Sequence, residues 1–333
     1  WEYERVLQSL SWTWLPHNCR LAQFDAATFD AWLGARTLVL IGDSLTAQLY
    51  YSMLFLLKDA VTYQFSHADG AKNSSKAIAP MPPLPRCSTG LADEGQSSFS
   101  EARLSKGGRI VNILGHARYI RELQNASRAP WLRFVKDADL LLINVGHHYR
   151  SVDRTFAGYE GMVKQVGKSL STVLKPTARI ILRTTNVGHR ACNAATRPLQ
   201  NRLAAWEHLA EVGQAPFSWK PPSAKEAGQL EAGRGNPNSA VSERRDPFDW
   251  RAPALHEHMW ASILGASSTF QSRFSILNVS FVDARSDGHV AMSMRYSDVS
   301  ERKARWGGGL DCLHYCFPGP VDFWSLALYN FLV

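Results

Sequence analysis

Ser44, Asp311 and His314 are the residues of this chain whose types and spacing could carry covalent chemistry. Ser44 follows Leu38-Val39-Leu40-Ile41-Gly42-Asp43, an apolar run that predicts a buried parallel strand ending in a tight turn. It precedes Leu45, Leu49, Met53 and Leu56, whose spacing predicts a helix. Backbone N–H groups at a helix start have no intrahelical acceptor and carry partial positive charge. An oxyanion formed when the Ser44 hydroxyl attacks an acyl carbon would be stabilised there by the N–H of Ser44 or Leu45. Gly-Asp-Ser alone is a weak signal, because a serine that opens a helix is usually only a cap. Asp311-Cys312-Leu313-His314 places a carboxylate and an imidazole three residues apart. On one turn of chain Asp311 can hold the Nδ1–H of His314 and leave Nε2 to take a proton from Ser44. Order and spacing fit a Ser-His-Asp hydrolase or acyltransferase.

Positioning these groups requires a sheet. Residues 109–114, 139–144, 179–183 and 274–279 read as further strands, while Met162, Val163, Val166, Leu170 and Val173 recur at helical spacing. Helices are also expected near 119–123, over 253–264 and over 322–333. This alternation predicts a single α/β domain over 1–333, three layers deep, with a mostly parallel sheet between helices. Ligands bind beyond the carboxyl ends of such strands, where Ser44, Asn144, His147 and His189 would gather. Asn144 could donate its amide to the oxyanion hole or simply close its strand as a turn residue. Residues 1–36 are expected as an irregular Trp-rich strap, 66–108 as a long lid-like loop and 206–250 as a polar insertion. His256 and His258 are expected to face solvent, since His256-Glu257-His258 does not have the zinc-protease spacing.

Composition narrows the class. Of 333 residues 45% are apolar, enough for an ordinary core, and no apolar run is long enough to span a membrane. The sequence starts at Trp1, which suggests a trimmed ectodomain whose membrane segment lies outside it. The net charge of +8 is scattered. Its densest cluster, Arg302-Lys303-Ala304-Arg305 with Arg295 upstream, is too small for a nucleic-acid footprint and leaves an anionic polysaccharide as an acceptable partner. Cys19, Cys87, Cys192, Cys312 and Cys316 could be free core thiols or disulfides. Sequons at Asn73, Asn125 and Asn278 favour the secretory pathway. A metal at Cys312, His314 and Cys316 would consume His314 and lacks a second cysteine pair, so no metal is expected.

In series, these motifs resemble the PC-esterase group, which includes the plant trichome-birefringence-like polysaccharide O-acetyltransferases. The resemblance is carried by Trp12-x-Trp14-x-Pro16-x-x-Cys19, Gly42-Asp43-Ser44-Leu45, Asn144-x-Gly146-His147 and Arg183-Thr184 with His189 and Cys192. Asp287-Gly288-His289, Asp311-Cys312-x-His314-x-Cys316, Pro318-Gly319 and Asp322-x-Trp324 continue it. It implies an SGNH-hydrolase-like fold with Ser44, Asp311 and His314 as the triad. Asp43, Gly146, His147, Arg183 and His189 are then expected at the substrate. It also implies disulfides joining Cys192 to Cys312 and Cys19 to Cys316, and a Golgi-luminal enzyme that moves acetyl groups to polysaccharide hydroxyls. No cofactor is expected beyond a small acetyl donor. Ala47 and Gln48 stand where the plant pattern has Arg and Asn, and His148 and Tyr149 where it has a Trp pair. Acetylesterase activity at the same triad and a non-catalytic carbohydrate-binding role are the rival expectations.

Overall fold

The computed structural model describes residues 2–14, 16, 20–67, 99–114, 132–144, 154–189, 192–201, 204–205, 252–290 and 311–333. The uniformly apolar runs become the middle of a seven-stranded sheet. Its strands are β1 (Thr37–Gly42), β2 (Val61–His67), β3 (Phe99–Leu104), β4 (Arg109–Leu114), β5 (Leu140–Asn144), β6 (Arg179–Arg183) and β7 (Phe274–Leu277). They lie in the order β2-β3-β4-β1-β5-β6-β7. Strands β4, β1, β5, β6 and β7 run parallel, while β2 and β3 add an antiparallel edge.

Alternation along the central strands feeds two cores. Leu38 and Leu40 of β1 and Leu140 and Leu142 of β5 face one side, where they meet α2 (Ala26–Leu33), α3 (Ser44–Leu56) and α7 (Pro320–Leu332). Val39, Ile41, Leu141 and Ile143 face the other, against α5 (Arg154–Val173) and α6 (Ala252–Leu264). A strand buried on both faces needs apolar residues at every position, which is why these runs lack polar alternation. Further α-helices are α1 (Glu2–Ser11) and the short α4 (Leu132–Val135). Among the described residues no helix is long and apolar enough to cross a membrane.

Two expectations are corrected. The stretch 1–36 is not simply an irregular strap, because it contains α1 and α2. Asp25 caps α2 by accepting the Thr28 N–H at 2.6 Å, Gly34 ends it at φ +54°, and Phe29 and Leu33 enter the core. The 66–108 stretch is not all lid, because 99–104 forms β3. Its buried Glu101 accepts from Arg103 on the same strand and from Arg109 of β4, and Ser100 stands in register with Asn112 of β4. Residues 68–98 and all of 206–250 lie outside the described residues, as does the helix expected near 119–123.

Candidate active site

The nucleophile's position follows from the end of β1. A Cβ on Gly42 would collide with Thr46 Oγ1 and the Asn144 carbonyl, so only glycine lets β1 press against the end of β5 here. The buried Asp43 carboxylate accepts the Leu45 N–H at 3.0 Å and caps α3. Ser44 is therefore the first helical residue. Its own N–H has no acceptor within α3, and the helix dipole places positive potential on it.

His314 reaches this point from the C-terminal segment. Its Nε2 lies 2.7 Å from Ser44 Oγ, and its Nδ1 lies 2.8 Å from Asp311 Oδ2. The other carboxylate oxygen, Asp311 Oδ1, accepts the N–H groups of Leu313 (3.2 Å) and His314 (3.0 Å). Burial works against the Asp311 charge, but the His314 imidazolium and these hydrogen bonds outweigh it and hold the carboxyl at about 2. Asp311 is thus ionised throughout the range in which a histidine can act as base. Ser44 is nearly buried, and the His314 side chain is 15% exposed, so the pair is shielded yet reachable.

Two partners of this arrangement had no chemical motif in the sequence. Along the largely buried α3, Ser44, Gln48 and Ser52 form a polar stripe at successive turns. Gln48 Nε2 donates to the Tyr315 carbonyl at 2.8 Å, and Gln48 Oε1 accepts the Tyr315 N–H at 3.3 Å. Ser52 Oγ donates to Asp322 Oδ1 at 2.6 Å and lies 2.8 Å from Ser325 Oγ. Together with the Ser44–His314 bond, these contacts fasten the C-terminal segment to the nucleophile helix at three consecutive turns. The i, i+4, i+8 spacing was visible in the sequence as polar residues on an apolar helix. Their partners were not.

The segment is held from behind as well. His189 Nδ1 lies 2.7 Å from His289 Nε2, His189 Nε2 lies 2.7 Å from the Asp283 carbonyl, and His289 Nδ1 lies 3.2 Å from the His314 carbonyl. Carbonyl oxygens only accept, so all three contacts are hydrogen bonds when the two rings share three protons, one charge between them. The disulfide Cys192–Cys312 adds a covalent tether beside Asp311 across 120 residues of sequence. Cys316 is disulfide-bonded too, and its expected partner Cys19 lies outside the described residues. The double variant Cys192→Ser/Cys312→Ser is expected to lose about 3–5 kcal/mol of stability, because a loop this long gains that much freedom when unfolded. Denaturant unfolding checks this, and a parallel fall in kcat would show that the tether also positions Asp311.

Several residues expected at the substrate or the oxyanion are placed differently. Leu45 cannot offer its N–H to an oxyanion while Asp43 accepts it, and Asp43 itself is a buried helix cap. Asn144 donates both amide hydrogens, to the Arg183 carbonyl at 2.9 Å and Thr185 Oγ1 at 2.8 Å, and so ties β5 to β6 instead of facing an oxyanion. Arg183 is fully buried: its Nη2 donates to Asn144 Oδ1 at 2.6 Å and its guanidinium lies 4.5 Å over the Trp324 ring. Burial lowers its pKa to about 10, opposed by the charges of Asp43 and Glu257. His189 is buried in the imidazole pair described above. Asp43, Asn144, Arg183 and His189 are all buried, and each makes at least one hydrogen bond within the fold, so they brace the sheet edge. His256 is also buried, stacked 3.8 Å from the Tyr159 ring, whereas His258 faces solvent as expected. Asn278 is exposed, with its Oδ1 accepting from Ser280. Gly146, His147, Asn73, Asn125 and Cys87 lie outside the described residues.

Residues 114–331 match the family model described as PC-Esterase, the GDSL/SGNH-like acyl-esterase family found in Pmr5 and Cas1p. The matched span holds Asp311 and His314 and begins after Ser44. Xyloglucan O-acetyltransferase 1 of Arabidopsis thaliana is 23% identical over 343 residues, covering 97% of this chain and 70% of that protein. Xylan O-acetyltransferase 14 of Oryza sativa subsp. japonica is 24% identical over 349 residues, covering 97% and 68%. Protein trichome birefringence-like 4 of Arabidopsis thaliana is 22% identical over 335 residues and covers 96% of this chain and 65% of its own length.

Proposed function

Because the chain belongs to the PC-Esterase family of GDSL/SGNH-like acyl-esterases, we propose that it is a polysaccharide O-acetyltransferase working through an acetyl group carried on Ser44. The observation that carries this reading is the continuous relay from Asp311 through His314 to Ser44 Oγ at the carboxyl edge of the sheet. Relatives named as xyloglucan and xylan O-acetyltransferases support the reaction class and a polysaccharide acceptor.

His314 Nε2 takes the Ser44 hydroxyl proton as Oγ bonds to the carbonyl carbon of an acetyl donor. The Ser44 N–H at the start of α3 faces the oxygen that becomes negative. Collapse of the tetrahedral species breaks the bond to the leaving group, which receives the proton from His314 and leaves acetyl-Ser44. A sugar hydroxyl then gives its proton to His314 Nε2 and attacks the acetyl carbon. The same steps in reverse free Ser44 and return its proton. Asp311 stays ionised throughout, orients the ring and stabilises the imidazolium.

The same site with water as acceptor is an acetylesterase. Intact mass after incubation with an activated acetyl ester, followed by a chase with oligosaccharide or with water, separates the two. A gain of one acetyl group discharged faster by oligosaccharide is the expected result, and discharge by water alone would make the protein an esterase. A binding module has no need of the relay, so that rival has less support. The disulfides support an oxidising compartment, and we place the enzyme in the lumen of the secretory pathway, in the Golgi.

A further inference from the structure

Beside the turn that follows β7 lies a cavity of about 660 Å³, within the usual range for ligand pockets. Its aromatic lining includes Trp12, Trp14, Phe281 and Phe323, and Arg197 and Gln200 stand among its polar residues. Trp14 is stacked flat on Phe281, with ring centroids 3.6 Å apart, so the N-terminal stretch is fastened to this turn. A second anchor is Arg285, whose Nη2 donates to Ser9 of α1 at 2.6 Å and whose Nε donates to Asp287. Trp12, two residues from the stacked Trp14, remains 46% exposed, although an open indole face is costly in water. Arg197 and Gln200 are exposed as well, and among the described residues Arg197 has no ion-pair partner.

The cavity walls lead back to the relay. The 280–288 turns run to His289, whose backbone pairs with Tyr315, the residue after His314. The 197–200 wall follows the Cys192 turn that is tethered to Cys312, and Leu199 N–H donates to the Ala284 carbonyl at 2.7 Å, joining the two walls. Cavity and nucleophile therefore share the carboxyl edge of the sheet.

We propose that this cavity is an acceptor subsite in which a pyranose ring of the polysaccharide stacks on Trp12 while Arg197 and Gln200 bind its hydroxyls; the proposal rests on the transferase reading above. A pyranose presents an apolar C–H face and a polar rim of hydroxyls, which is the division that an open indole flanked by a guanidinium and an amide complements. An acyl chain would leave Arg197 and Gln200 unused. A protein partner would call for a broader, flatter apolar surface than this concave one.

Binding is measured without turnover on Ser44→Ala protein, following tryptophan fluorescence while titrating a panel of neutral and uronate-bearing oligosaccharides. At least one should bind. Adding Trp12→Ala should weaken it about tenfold, the loss of one stacking contact, and Arg197→Ala should weaken it as well. Tyr63→Ala, an exposed aromatic on β2 at the opposite edge of the sheet, should leave binding as it was. Circular dichroism confirms that each variant is folded. No binding by any oligosaccharide, or unchanged affinity in folded Trp12→Ala, overturns the subsite. A protein that binds in this way but never transfers acetyl would overturn the transferase reading and keep the cavity as a sugar site.

Discussion

Ser44→Ala is expected to lower acetyl transfer on the order of 10⁶-fold and to eliminate the acetyl-enzyme seen by intact mass. The size follows from what the hydroxyl does. It is the atom that forms the covalent bond, so without it only donor and acceptor binding and the Ser44-position N–H remain to help the reaction. The fold should tolerate the change. Asp43, not Ser44, caps α3, and Gln48 and Ser52 still join that helix to the C-terminal segment. The lost Ser44–His314 hydrogen bond accounts for roughly 1 kcal/mol of stability. A folded Ser44→Ala protein that transfers acetyl at near the original rate would require a different nucleophile, and a Cys or Asp side chain elsewhere would then have to carry the adduct.

Asp311→Asn should lower kcat by about 10⁴-fold with little change in KM. The geometry forces this result. Asp311 Oδ1 accepts two backbone N–H groups, so an asparagine must keep its oxygen there and turn its NH₂ toward His314 Nδ1. That amide can only donate, which moves the ring proton to Nε2 and leaves no lone pair for the Ser44 proton. An unchanged rate would mean that another group orients His314. The same contacts set a pH dependence of stability. The folded-state carboxyl sits at about 2, below the ordinary aspartate value of 3.8, so its contribution is complete above about 4 and is lost as pH falls toward 2. The difference corresponds to roughly 2 kcal/mol, to be read by denaturant unfolding across that window, and Asp311→Asn should flatten it.

Local signals made much of this legible. The apolar runs of β1, β5 and β6 are dictated by burial on both faces, so strand identity and the parallel arrangement could be read directly. Gly42-Asp43-Ser44 announced a strand-to-helix turn, and the spacing of Asp311 and His314 fits one bend of chain. Sequence missed β3, whose Ser100, Glu101 and Arg103 read as loop until β4 and Arg109 supply their partners. It also missed the helices within the first 36 residues, although Asp25 and Gly34 mark the ends of α2.

By itself, the sequence determined the central strands and the chemical inventory: a serine at a helix start, an acid and an imidazole three residues apart, and cysteines near both. Those properties depend on neighbours along the chain. Only the tertiary structure decided which polar residues face chemistry and which merely support it, because that depends on partners distant in sequence. Arg183 donates to Asn144 at 2.6 Å and so serves the sheet, whereas Gln48, an ordinary helix residue in sequence, grips Tyr315 across 267 positions and holds His314 in reach of Ser44. A buried polar group must find a partner wherever the fold brings one, and that search is settled in three dimensions.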